Sequence, residues 1–75
     1  MKDLVEYIAK AIVDNPDEVK VTEAPGEDGV VFKLEVASED RGRVIGREGR
    51  TAKAMRTLLR IVAIKQNTHA SLEIV

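Results

Sequence analysis

The chain contains no cysteine and no tryptophan, and only one tyrosine, one phenylalanine and one histidine among its 75 residues. Without cysteine there is no disulfide framework, no thiolate nucleophile and no cysteine-ligated zinc site. One histidine, His69, does not make a metal centre by itself. Tyr7 and Phe32 both fall at apolar, core-facing positions, which leaves no exposed aromatic platform for stacking bases. No apolar run approaches the ~18 residues of a membrane span, and the N-terminus lacks the apolar stretch of a signal peptide, so the expected location is cytoplasmic. The carboxylate pairs Asp17-Glu18, Glu27-Asp28 and Glu39-Asp40 sit where helices or strands end and read as caps and solvated charge rather than acid/base pairs. The expectation is one domain over residues 1–75 that is not an enzyme and needs no cofactor, metal or small-molecule substrate.

What is present is charge, strongly segregated behind a net of −1. Residues 1–40 hold four lysines against eleven carboxylates, whereas residues 41–65 hold eight basic residues against Glu48 alone. All six arginines lie between positions 41 and 60. Arginine suits planar, bidentate recognition of phosphate, and a local field depends on where charge sits rather than on the total.

Residues 2–14 read as an amphipathic helix, with Leu4, Ile8, Ala11 and Ile12 on one face and Val5 and Ala9 beside it. Asn15-Pro16 ends it. Residues 17–24 and 30–37 alternate as half-buried strands around the turn-rich segment 25–29, and should pair antiparallel. Ser38 is the expected N-cap of a short helix, with Glu39 and Asp40 in its first turn. That helix cannot pass Gly46. Residues 50–66 form a long helix and residues 68–75 a last strand through Ala70, Leu72 and Ile74. At about 100° per residue, Met55, Leu58, Leu59 and Val62 share an apolar arc opposite Lys53, Arg56 and Arg60, while Ile61 and Ile64 lie outside it. The class is α+β with the order α-β-β-α-α-β.

The segment Arg43-Val44-Ile45-Gly46-Arg47-Glu48-Gly49-Arg50 carries the chemistry. Two glycines permit a tight turn and remove the Cβ atoms that would keep a ligand from the backbone. N–H groups beside a helix N-terminus form an anion site, and Arg47 and Arg50 flank it with positive charge. Neither Gly-x-x-x-x-Gly-Lys-[Ser/Thr] nor Gly-x-Gly-x-x-Gly occurs, so nucleotide hydrolysis has no support.

With Thr51 included, this segment resembles the core of a KH domain, whose Gly-x-x-Gly loop clamps the backbone of a short single strand. The element order matches the type II arrangement, and the whole chain resembles the small bacterial single-KH proteins of the KhpA family. The resemblance implies a three-stranded sheet with three helices on one face. It also implies single-stranded RNA binding, an RNA-chaperone role, and a homodimer or a larger KH-containing partner of the KhpB type. In the family that pairing is associated with cell elongation and peptidoglycan homeostasis. Carried over by position, the clamp is Gly46, Arg47, Glu48 and Gly49. The groove is Val44, Ile45, Ala52 and part of residues 34–38, Arg50, Lys53 and Arg56 lie along the phosphates, and Arg43 is a further RNA-binding residue. Relatives often carry Lys or Gln where Glu48 stands, a departure that opposes phosphate binding unless Glu48 pairs with Arg47 or Lys53.

Two other readings stay open. Residues 50–66 have the geometry of a recognition helix in a helix-turn-helix DNA binder. Alternatively, Leu58, Ile61 and Ile64 form a dimer or partner interface that is the main function, with weak RNA affinity.

Overall fold

The computed structural model describes residues 1–75. Helix α1 spans Lys2–Ile12, with Asp3 in its first turn and Lys10 in its last, both favourable to the helix dipole. Glu6 and Lys10, one turn apart, pair at 2.9 Å. The helix turns Val5 and Ala9 into the core, with Leu4, Ile8 and Ile12 half-buried at the margins. Tyr7 is 75% exposed, contrary to the expected core position. It lies two residues from both Val5 and Ala9, about 200° around the helix from each, and so points to solvent.

Pro16–Glu18 forms a 3-10 turn, so the first strand starts later than the alternation implies. Proline at the start fixes φ for a helical turn and has no N–H to give a neighbouring strand. Strands β1 (Lys20–Pro25) and β2 (Val30–Glu35) pair antiparallel, with Val21 opposite Leu34 and Glu23 opposite Phe32. After β2 come a 3-10 turn at Ser38–Asp40, helix α2 (Arg41–Ile45), a second 3-10 turn at Arg47–Gly49, and helix α3 (Arg50–Lys65). Strand β3 (Ala70–Ile74) then returns parallel to β2, with Phe32 opposite Leu72. The sheet order is β1-β2-β3, leaving β2 central and β3 at an edge.

Asn67, at φ 56°, closes α3 in the left-handed conformation while the Thr68 N–H donates to Ala63 O at 3.0 Å. This arrangement satisfies carbonyls that the last turn would otherwise leave open.

All three helices pack on one face of the sheet. The core is built from Phe32, Leu34, Val44 and Leu59, each at most 1% exposed, with Val5, Val21, Val36, Met55 and Leu72 around them. The other face is solvated. There, Lys20 lies opposite Glu35 and Lys33 opposite Glu73, so adjacent strands present opposite charges.

Candidate nucleic-acid interface

Helix α2, the loop after it and the start of α3 hang from a buried carboxylate. Asp40 is 1% exposed. Its Oδ1 accepts from the Asp14 N–H at 3.2 Å, and its Oδ2 accepts from the Asn15 N–H and the Asn15 Nδ2 at 3.0 Å each. The Asn15 amide also donates to Glu39 Oε1 at 2.9 Å, and Arg43 pairs with Asp14 at 3.1 Å. The start of α2 is thus fastened to the chain just beyond α1. Asp40 is no solvated first-turn charge, and Ser38 does not cap the helix with its side chain. The donors to Asp40 lie 25 and 26 residues upstream, and local pattern reading does not reach them.

Burial pushes the Asp40 carboxyl up, but the hydrogen bonds from Asn15 and Asp14, with Arg43 nearby, outweigh it and hold the carboxyl below its ordinary range. A carboxyl depressed in the folded state favours folding in full above its unfolded value of about 3.9. That contribution is lost as pH falls through the folded value. Asp40→Asn is therefore expected to lower Tm at neutral pH, because the new amide must face donors. The gap to wild type should narrow below about pH 4. Thermal melts across pH check this, and a gap unchanged down to the acid limb would contradict it.

The two loop glycines do different work. Gly46 has φ 76° and ψ 172°, and a Cβ placed there would meet the Thr51 backbone nitrogen at 2.8 Å as well as the Thr51 side chain. It is glycine because the start of α3 sits against it, and not only to admit a ligand. Gly49, at φ 74° and ψ 14°, has nothing within 4 Å of where a Cβ would be. Its side is open.

Between them Glu48 adopts φ 57°, a left-handed conformation uncommon for a non-glycine residue. The loop closes on itself through Gly49 N–H to Gly46 O at 3.1 Å and Arg50 N–H to Arg47 O. No side chain caps this turn or the start of α3. The first N–H groups of a helical turn have no acceptor within it, so an outside anion can take that role.

The expected site residues divide by exposure. Arg43, Arg47, Glu48, Arg50, Lys53 and Arg56 are exposed, and Ile45 is 43% exposed beside the loop. Val44, by contrast, is 0% exposed and Ala52 3%, so both belong to the core. Within residues 34–38 burial is mixed, with Glu35 and Ser38 exposed and Ala37 half-buried. Leu34 and Val36 are buried in or just after the central strand, while β3 is the edge strand that packs against α3.

Glu48 pairs with Arg50 at 3.4 Å, not with Arg47 or Lys53. Two of the loop's cations thus already hold exposed carboxylates, Asp14 on Arg43 and Glu48 on Arg50. Such exposed pairs are weak enough for a phosphate to replace them. Arg56 donates from Nε to the Leu72 carbonyl at 3.3 Å.

On α3, Leu58, Ile61 and Ile64 are 47%, 48% and 63% exposed. Ile61 and Ile64 are outside the core as the helical angles require. Leu58, at the margin of the apolar arc, is outside it too.

The model of the KhpA/KhpB KH domain matches residues 2–74. The RNA-binding protein KhpA of Clostridium acetobutylicum is 51% identical over 75 residues, all of both chains. That of Caldanaerobacter subterraneus is 48% identical over 75 residues, again all of both chains. That of Chlamydia pneumoniae is 49% identical over 99% of this chain and 95% of its own. Among solved structures, Aquifex aeolicus Era bound to GDP and aluminium fluoride superposes with TM-score 0.62 at 19% identity. That match covers 97% of this chain and 28% of Era, a likeness of fold alone. With its element order, its glycine loop and a match over nearly its whole length, the chain belongs to the KhpA/KhpB KH-domain family.

Proposed function

We propose that this protein binds single-stranded RNA, gripping the phosphate backbone at Gly46, Arg47, Glu48 and Gly49. It acts as a binding protein rather than an enzyme, in keeping with relatives named as RNA-binding proteins. The observation that carries the reading is the uncapped, exposed turn with an open Gly49 at the N-terminus of α3. Backbone N–H groups there take phosphate oxygens, Ile45 offers an apolar contact, and Arg43, Arg47, Arg50 and Lys53 add attraction that does not depend on base. One domain of this kind covers about four nucleotides. Its affinity is modest, so a second binding domain raises it through local concentration.

The test is an amide-resolved NMR titration with a short mixed single-stranded RNA at two salt concentrations. Shifts should centre on residues 43–56, and log K should fall against log salt with a slope of about −2 to −3, as for three or four phosphates. Duplex DNA should compete poorly, which separates this reading from a helix-turn-helix. A still loop at low salt would defeat it.

The ridge of Leu58, Ile61 and Ile64 supports a second contact, with another copy of this chain or a larger KH protein of the KhpB type. Such pairing sets two loops on one RNA, as an RNA chaperone in the cytoplasm requires. Cell elongation and peptidoglycan homeostasis are the cellular setting proposed with it. Ile61→Asp should convert a sedimenting dimer to monomer without loss of fold, because the side chain is half exposed. A wild type that sediments as a monomer at high concentration would remove the homodimer.

A further inference from the structure

We infer that Arg56 reads a base rather than a phosphate, and that it favours a base carrying two adjacent acceptors. The inference rests on the RNA reading above and deepens it. Its starting point is the free edge of β3. The Val30 N–H donates to His69 O at 3.0 Å and the Val75 N–H to Leu34 O at 2.9 Å, so odd-numbered residues turn their backbone groups toward β2. Alternation along a strand then turns the N–H and C=O groups of Ala70, Leu72 and Ile74 outward, away from the sheet. An edge of this kind offers unpaired donors and acceptors to whatever lies beside it.

Arg56 reaches across from α3 to this edge and fixes itself there by its Nε bond to Leu72 O. Arg41, at the start of α2, donates from Nε to Val75 O, just beyond β3, at 3.2 Å. Arg56 therefore ties α3, the helix that follows the glycine loop, to the outer edge of β3, and Arg41 ties α2 to the chain just beyond that strand.

Anchoring changes what Arg56 can do. Its partner is a neutral carbonyl, and no carboxylate pairs with it, whereas Arg43 and Arg50 each hold one. The guanidinium keeps its full charge, and with Nε engaged its remaining N–H donors are held in one plane on the strand edge. A cation that follows a flexible phosphate chain needs no such fixing. A planar double donor in a set orientation matches two adjacent acceptors on a base edge. Guanine offers O6 and N7, and cytosine offers N3 and O2. Adenine alternates donor and acceptor, and uracil separates its two carbonyls by an N–H. Arg56 stands six residues along α3 from Arg50, about 9 Å from the start of the helix, within the stretch of a strand gripped at the loop.

The experiment measures binding of the full chain to an oligo(A) RNA and to the same RNA carrying a single guanine, cytosine or uracil. Wild type, Arg56→Lys and Lys53→Ala are compared at two salt concentrations. The guanine or the cytosine RNA should bind wild type about tenfold tighter than oligo(A), and the uracil RNA should not. Which of the two wins identifies the edge that is read. Arg56→Lys keeps the charge but not the fork. It should erase the preference, bringing the guanine and cytosine RNAs to the affinity of oligo(A). Lys53→Ala should weaken all four RNAs alike and flatten the slope by roughly 0.7.

A wild type that does not discriminate would overturn the inference. So would an Arg56→Lys variant that keeps the preference, or one that weakens every RNA equally and flattens the slope. The variant Arg47→Asp/Glu48→Asp, run beside these, separates the two levels. If it binds like wild type the loop reading itself fails. If it loses binding while Arg56→Lys still discriminates, only the role of Arg56 falls.

Discussion

The double substitution Arg47→Asp/Glu48→Asp is expected to lower affinity for single-stranded RNA by about a hundredfold and leave the fold in place. Two charge-assisted hydrogen bonds lost, at about 1.5 kcal/mol each, account for that factor. Arg47 becomes a carboxylate at the mouth of the loop, so N–H groups that would receive phosphate oxygens face two negative side chains. Salt dependence should weaken along with affinity, because fewer phosphates are neutralised. Folding is spared for local reasons. Both residues are exposed, and Arg47 makes no ion pair. Position 48 is left-handed, a conformation that aspartate enters more readily than glutamate. Fluorescence anisotropy with a labelled short RNA measures the loss, and a thermal melt beside it shows whether Tm holds. Near-normal binding by a folded variant would remove the loop from the mechanism. A collapsed Tm would mean that the loop supports the fold.

Most of the architecture was legible in the sequence because its elements carry strong local periodicity. The alternation at Val30, Phe32, Leu34 and Val36 marked β2, and the opposed apolar and basic arcs of residues 50–66 marked α3 to within one residue. The six arginines from Arg41 to Arg60 are likewise legible as a basic segment, and all of them are exposed.

What the sequence hid depends on contacts between distant segments. Asp40 looks like one more first-turn acid, and only the approach of Asp14 and Asn15 makes it a buried anchor. Val44 sits in the loop's own signature and so suggested contact with a ligand, yet α2 turns it wholly into the core. Strand order is also non-local. With β2 in the centre, it is β3 that presents an outer edge beside α3, and Arg56 is fastened to that edge. Tyr7 is a matter of phase: the buried face of α1 is centred on Val5 and Ala9, not on Leu4 and Ile8, and this turns Tyr7 outward.

Gly46→Ala is expected to cost about 2–6 kcal/mol of stability. Its backbone region is essentially restricted to glycine, at about 1–3 kcal/mol, and steric overlap adds about 1–3 more. The overlap cannot be relieved by a side-chain rotation alone, since one of the atoms met is the backbone nitrogen of Thr51 at 2.8 Å. A chain of this length has roughly 4–11 kcal/mol to lose, so Gly46→Ala should melt at least about 10 °C below wild type or fail to fold. Gly49→Ala forms the contrast. It meets nothing within 4 Å and carries only the left-handed penalty of about 1 kcal/mol, for a fall in Tm of about 4–8 °C. Its new methyl group projects into the open side of the loop, so its larger effect should be on RNA. The pair therefore divides the motif into a glycine that packing demands and a glycine that the ligand demands. Denaturant melts and RNA titrations on both variants decide it. Equal stability losses would mean that Thr51 does not press on Gly46, and unchanged RNA affinity in Gly49→Ala would mean that the open side is not where the phosphate enters.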